Sequence, residues 1–311
     1  MSRQIIGQKN LLDRLFIALL SDGHLLVEGA PGLAKTRAVN ALAELIEGDF
    51  QRIQFTPDLL PADLTGTEIW QPDSGQFTFK SGPLFHNIIL ADEINRASAK
   101  VQSALLESMA ERQITVGNTT HTLPSLFMVM ATQNPIEQEG TFPLPEAQLD
   151  RFLLHINVGY PTVEEETEIL RLNQAEASAE LQQKNSPATP HLLSQKQLNQ
   201  ARKEVLSVHL APAVERYLVE LVVATREPAR YDDSLAKYLE YGASPRATIA
   251  LNRTARAHAW LLGRDYVSPG DIQAMLPDVL RHRVLLSYQA QAEGIDVDQF
   301  VNRLLNLVPV A

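Results

Sequence analysis

With 311 residues, 45% of them apolar and 21% charged, the chain has the composition of a globular protein and a length that suits two domains. It has no cysteine, which excludes disulfides and thiolate metal sites and fits a reducing cytoplasm. The formal net charge of -10 disfavours a broad electrostatic grip on nucleic acid. No apolar run reaches membrane-spanning length, and Met1–Ile6 lacks a signal peptide's hydrophobic block.

Lys9 to Leu20 has the pattern of an amphipathic helix, with Leu11, Leu12, Leu15, Ile17 and Leu19 available to pack. His24–Glu28 is an apolar strand-like run, and Arg37–Ala43 is helix-like. Phe50–Phe55 alternates apolar and polar residues and predicts a second strand. Two β-prone runs, Ile69-Trp70 and Phe77-Thr78-Phe79, flank Pro72-Asp73-Ser74-Gly75 and predict a hairpin. Asn87–Glu93 is a buried-strand run ending in two acids. Ser98 stands where a cap belongs, ahead of a helix whose core face is Val101, Leu105, Leu106 and Met109. A second hairpin is expected over Ile114–Leu123, with its turn near Gly117-Asn118. Further strands follow at Leu126–Ala131 and Phe152–Val158. Strands alternating with helices argue for a mostly parallel sheet covered on both faces.

Pro161-Thr162 marks a junction, and Glu164-Glu165-Glu166 suits the acidic first turn of a helix. Ser178–Pro190 is polar and predicts a loop. From Ser194 the pattern is helical. Val214, Leu218, Leu221 and Val222 form one stripe, and Thr248–Leu262 and Pro269–Leu286 form further stretches. The expected division is a nucleotide-binding core over 1–160, a connecting helix and linker over 161–193, and a helical domain over 194–311.

Gly29-Ala30-Pro31-Gly32-Leu33-Ala34-Lys35-Thr36 lies between the first strand and the helix after it. Strand, glycine-bearing turn, Lys-Thr and helix form a phosphate-cradling layout: backbone N–H groups and the positive end of the helix face the anion. Lys35 supplies a point charge for the outer phosphates, and the Thr36 hydroxyl can hold Mg²⁺. Ala34 stands where a glycine is usual; the chain is entering a right-handed helix there, so a methyl group is tolerated. These residues point to ATP or GTP. Asp92 and Glu93 end a buried strand, where ligands of open parallel sheets sit. Asp92 is assigned to the metal and Glu93 to the attacking water. Asn134 either holds that water against the terminal phosphate or simply starts the Asn134-Pro135 turn.

Taken in order, six segments resemble the MoxR family of AAA+ ATPases. They are Ile6-Gly7-Gln8, the 29–36 loop, Leu90–Ala97, Ala131–Pro135, Pro145–Phe152 and Gly242–Arg246. The Ala-Lys-Thr form of the loop is itself a MoxR variant. The resemblance implies an α/β fold: an AAA+ P-loop core with a mostly parallel sheet and β-hairpin insertions, plus a C-terminal all-helical lid. It puts Ile6, Gly7 and Gln8 near the adenine and makes Asn134 the first sensor. It makes Arg151 an arginine finger reaching the next subunit's nucleotide and Arg246 a second sensor. Local sequence alone reads both arginines as surface ion pairs.

The resemblance also implies a Mg²⁺-dependent ATPase forming a homo-oligomeric, hexameric ring. Such a ring acts as a chaperone-like remodeller of protein complexes, with metal-cofactor insertion among its tasks. The implied partners are a protein client and a protein bearing a von Willebrand factor type A domain. Three other readings share parts of this pattern: a magnesium-chelatase-type motor subunit, a nucleic-acid helicase, and a nucleotide-gated scaffold. For Trp70, Phe77 and Phe79, stapling of the hairpin is preferred over client contact for at least one of the three.

Overall fold

The computed structural model describes residues 5–30, 32–33, 35–135, 140–181 and 192–310, with only the backbone of 179–181. Five strands form the central sheet: β1 (Leu25–Gly29), β2 (Phe50–Gln54), β3 (Ile88–Asp92), β4 (Met128–Gln133) and β5 (Leu154–Val158). Their order is β2-β3-β4-β1-β5, and the β2–β3, β3–β4 and β4–β1 pairs are parallel.

The register explains why function collects at one edge. Gln54 pairs with Asp92, Ala91 with Ala131, and Glu28 with Gln133. The strands therefore end together, and the segments after β1, β3 and β4 emerge side by side. Leu25, Leu26, Val27, Ile89, Leu90, Ala91 and Val129 are fully buried. That is why these strands read as continuous apolar runs rather than alternating ones.

Both hairpins form. The first pairs Gly66–Gln71 with Gln76–Ser81, and the second pairs Gln113–Val116 with Thr119–Thr122. Trp70 and Phe77 face each other across the first hairpin, ring centroids 5.0 Å apart and edge-on. Phe79 turns elsewhere: it stacks on His121 of the second hairpin at 3.9 Å and meets Phe85 at 5.5 Å. One aromatic pair thus fastens the hairpin to itself, and the third ring ties it to its neighbour.

By its contacts the chain forms two compact units. The first comprises 1–16, 24–144 and 156–198; the second comprises 17–23, 145–155 and 199–311. The last of the second unit's three segments starts within a helix, Gln195–Ser207. Three expectations need correction. The helix Val163–Leu181 runs through Ser178, where a loop was expected, because no residue from 178 to 181 breaks a helix; 182–190 lie outside the described residues. The helix from Pro269 stops at Leu280, and Leu285-Leu286 instead pairs antiparallel with Leu239–Tyr241. Ser98 occupies the cap position of the helix Ala99–Glu111, but its side chain makes no cap hydrogen bond.

In the second unit the stripe on the helix Pro212–Ala224 buries Leu218, Leu221 and Val222 together with Tyr217, while Val214 is half-buried. Asp271, 1% exposed, anchors the helix Pro269–Leu280 as half of a capping box with Ser268. Burial acts to raise its pKa. Against that, hydrogen bonds from Arg264, Ser268 and His258 hold the carboxyl well below the usual range. Asp271→Asn is expected to destabilise the protein by about 2 kcal/mol, since hydrogen bonds to a charged group are lost. The folded pKa lies below the unfolded value of about 3.9, so this contribution is complete above that pH and fades as pH falls toward the folded value. Thermal melts of both proteins should therefore converge on acidification below about pH 4; a gap independent of pH would contradict the charge assignment.

Candidate active site

The loop after β1 is shaped by backbone needs. A Cβ on Gly29 would lie 2.7 Å from the Val158 carbonyl oxygen, so β1 can approach β5 only with glycine there. Gly32 has φ +83, a left-handed conformation that glycine adopts without strain. Ala30 and Leu33 are buried; Pro31 and Ala34 lie outside the described residues. The helix Lys35–Leu45 follows directly, which sets its free N–H groups at the loop.

Lys35 Nζ donates a 2.6 Å hydrogen bond to the Gly29 carbonyl. Burial lowers its pKa below the ordinary lysine value, while Asp92, Glu93 and Glu28 pull it back up. Desolvation is thus the largest influence on Lys35, and phosphate oxygens brought beside its ammonium would favour the charged form.

Opposite it, β3 delivers Asp92 and Glu93. Glu93 has φ 56 and ψ 52, a left-handed backbone that costs a non-glycine residue about 1–2 kcal/mol. Thr132 of β4 helps hold it. The Thr132 hydroxyl donates to Asp92 Oδ1 at 2.6 Å and accepts the Glu93 N–H at 2.9 Å. One hydroxyl thus sets both acids. Asp92 Oδ2 accepts from Arg52 at 2.6 and 3.2 Å; Glu93 Oε2 accepts from Gln54 at 2.8 Å and Arg96 at 3.2 Å.

These groups surround a cleft of ≈ 380 Å³ lined by Gly32, Lys35, Thr36, Asp92, Glu93 and Asn134, among others. Asn134 is buried at its wall, two residues beyond Thr132. Beside the cleft is a smaller, mostly apolar pocket walled by Ile5, Ile6, Gln8, Leu33, Ile169 and Leu172. Gly7 makes the turn between Ile6 and Gln8 without lining it. Arg37 lines both hollows and is ion-paired with Glu176. Arg151 and Arg246 belong to the second unit, where Arg246 stands 3.8 Å from Asp150.

The donor set suits Mg²⁺. A Thr36 hydroxyl and an Asp92 carboxylate are hard oxygen ligands on one cleft, and the described residues contain no group of three or more acids or histidines placed to hold a metal ion by themselves. Such a site must borrow phosphate oxygens and water, as nucleotide-bound Mg²⁺ does.

Two contributors were missed by sequence reading. Thr132 could have been found from register, because Ala91 opposite Ala131 puts Asp92 beside it. Arg52 carried no signal: it is one charged position on an edge strand, and only folding places it on Asp92.

Comparison with known proteins agrees with this geometry. Residues 24–154 match the model of the ATPase family associated with various cellular activities (AAA), and residues 234–304 match the AAA lid domain. Chaperone MoxR1 of Mycobacterium tuberculosis is 46% identical over 308 residues, 98% of this chain and 79% of its own length. The uncharacterized YeaC of Bacillus subtilis is 43% identical, over 99% of this chain and 92% of its own. A crystal structure of a candidate ATPase from Cytophaga hutchinsonii superposes with TM-score 0.90 at 47% identity, covering 100% of this chain and 92% of that one. The described residues include no helix long and apolar enough to cross a membrane. Identity at this level over almost the whole length, on a fold with this phosphate loop, makes the chain a member of the MoxR family of AAA+ ATPases.

Proposed function

We propose that the protein is a Mg²⁺-dependent ATPase whose turnover drives chaperone-like remodelling of protein complexes. The observation that carries this is the single Thr132 hydroxyl fixing Asp92 and Glu93 on the cleft that Lys35 and Thr36 also line. A chain that only bound nucleotide would not need a second, strained carboxylate held at that wall.

In this reading the loop amides, the helix N-terminus and Lys35 bind the triphosphate, and the small apolar pocket lined by Ile6 and Gln8, with Gly7 setting the bend between them, takes the base. Thr36 and Asp92 hold Mg²⁺, which when bound neutralises charge on the outer phosphates. Glu93 accepts a proton from the attacking water, and Asn134 orients that water. Before this, Glu93 must exchange its hydrogen bonds from Gln54 and Arg96 for one to the water. Arg151 reaches a neighbouring subunit's nucleotide and Arg246 contacts phosphate; guanidinium suits both because its charge is permanent and forked.

Subunits form a ring, a hexamer, that acts in the cytoplasm on a protein client. A partner with a von Willebrand factor type A domain and a role in metal-cofactor insertion extend the same reading. The name of the Mycobacterium tuberculosis relative supports the chaperone assignment.

Mixing inactive subunits tests the shared site. Arg151→Ala keeps an intact Glu93, and Glu93→Gln keeps an intact Arg151, so a mixed interface can hold one complete set. Each variant alone should lose turnover by about 10³-fold, and the mixture should recover a measurable fraction of wild-type phosphate release. A mixture no more active than its parts would contradict the trans finger.

A further inference from the structure

The turn that carries Arg151 is clamped by three consecutive residues of the second unit. Arg281 donates to the His155 carbonyl and His282 Nε2 to the Phe152 carbonyl at 3.0 Å. Arg283, only 3% exposed, reaches the Asp150 and Leu153 carbonyls at 3.2 Å each and the Phe152 carbonyl as well. Its Nε also donates to Asp150 Oδ1 at 2.7 Å. Arg283 thus fixes both the backbone and the side chain of the residue just before Arg151.

The other oxygen of Asp150 faces the second arginine. Asp150 Oδ2 accepts from Ser244 Oγ at 2.8 Å and stands 3.8 Å from Arg246 Nη1. Ser244 Oγ in turn accepts the Arg246 backbone N–H at 3.2 Å, capping the helix Pro245–Leu261. One carboxylate, seated on a buried guanidinium, therefore joins the start of the Arg246 helix to the turn that presents Arg151. A buried arginine needs its counter-charge, so the frame is costly to break and has a defined geometry.

We propose that Asp150 is a positioning residue for hydrolysis, holding Arg151 and Arg246 in a single frame so that they act as a coupled pair. This rests on the reading of the two arginines given above. Asp150 does not contact the nucleotide in this scheme; it acts through them.

A double-mutant cycle on kcat, with thermal melts alongside, tests it. Asp150→Asn should lower kcat about tenfold in the wild-type background and only about threefold when Arg246 is already alanine, because one of the two arginines it couples is gone. The same non-additivity is expected with Arg151→Ala. An equal loss in every background, or an unchanged kcat, would overturn the proposal: it would mean that Asp150 serves the fold alone. Wild-type turnover in both Arg151→Ala and Arg246→Ala would sink the reading of the arginines and the proposal with it. Should Asp150→Asn fail to fold, Ser244→Ala keeps the Asp150–Arg283 pair and removes only the link to the Arg246 helix. It should lower kcat about threefold, only where Arg246 is present.

Discussion

Lys35→Ala is expected to weaken ATP binding by two to three orders of magnitude. Lys35 is the one side-chain cation in the phosphate loop, and it is half-buried, so water would screen its attraction to phosphate only partly. One charge pair at about 4 Å in such a setting contributes about 3–4 kcal/mol, which is about 10²–10³ in affinity. Arg37 and Arg52 also line the cleft, but each is engaged: Arg37 with Glu176 and Arg52 with Asp92. Neither is positioned to replace Lys35 without giving up a carboxylate. Removing the cation also leaves Asp92 and Glu93 facing the phosphates with less compensation. Calorimetric titration with ATP reads the effect directly, and affinity within about threefold of wild type would show that the phosphates are bound elsewhere.

Glu93→Gln should separate binding from chemistry. The amide keeps the size of the carboxylate and can still accept from Gln54 and Arg96, so the strand end and its left-handed backbone should persist. What is lost is the capacity to take a proton from water, a contribution of about 10²–10⁴ in rate. Turnover should therefore fall by about 10³-fold while ATP affinity stays within about threefold. The variant would hold ATP, and proteins recovered with it in that state would identify clients. Turnover near wild type would transfer the base to another residue and remove the main reason for calling Glu93 catalytic.

Much of this was legible in the chain because the relevant patterns are local. The three central strands are apolar runs, and each leads into residues suited to phosphate or metal chemistry: the loop from Gly29, the acids at 92–93, and Asn134. Both hairpins announced themselves through turn residues between β-prone runs. Long-range partnerships left no such trace. Asp150 meets Ser244 across 94 positions and Arg283 across 133, and nothing near Asp150 points to either. Arg52 meets Asp92 only because β2 pairs with β3 in register. The helix ending at Leu181 was cut short in sequence because Ser178 was grouped with the polar stretch after it, although a single serine followed by Ala179, Glu180 and Leu181 discourages helix only weakly. The short pairing of Leu285-Leu286 with Leu239–Tyr241 was invisible because two residues carry no period.

The central claim is that a triphosphate lies between the loop at 29–36 and the acids of β3. A crystal structure with a nonhydrolysable ATP analogue and Mg²⁺ tests it most directly. The expected map shows Lys35 Nζ moved from the Gly29 carbonyl to phosphate oxygens, with the metal held by Thr36 and Asp92. An analogue bound elsewhere, with Lys35 still on Gly29 and the cleft empty, would contradict it.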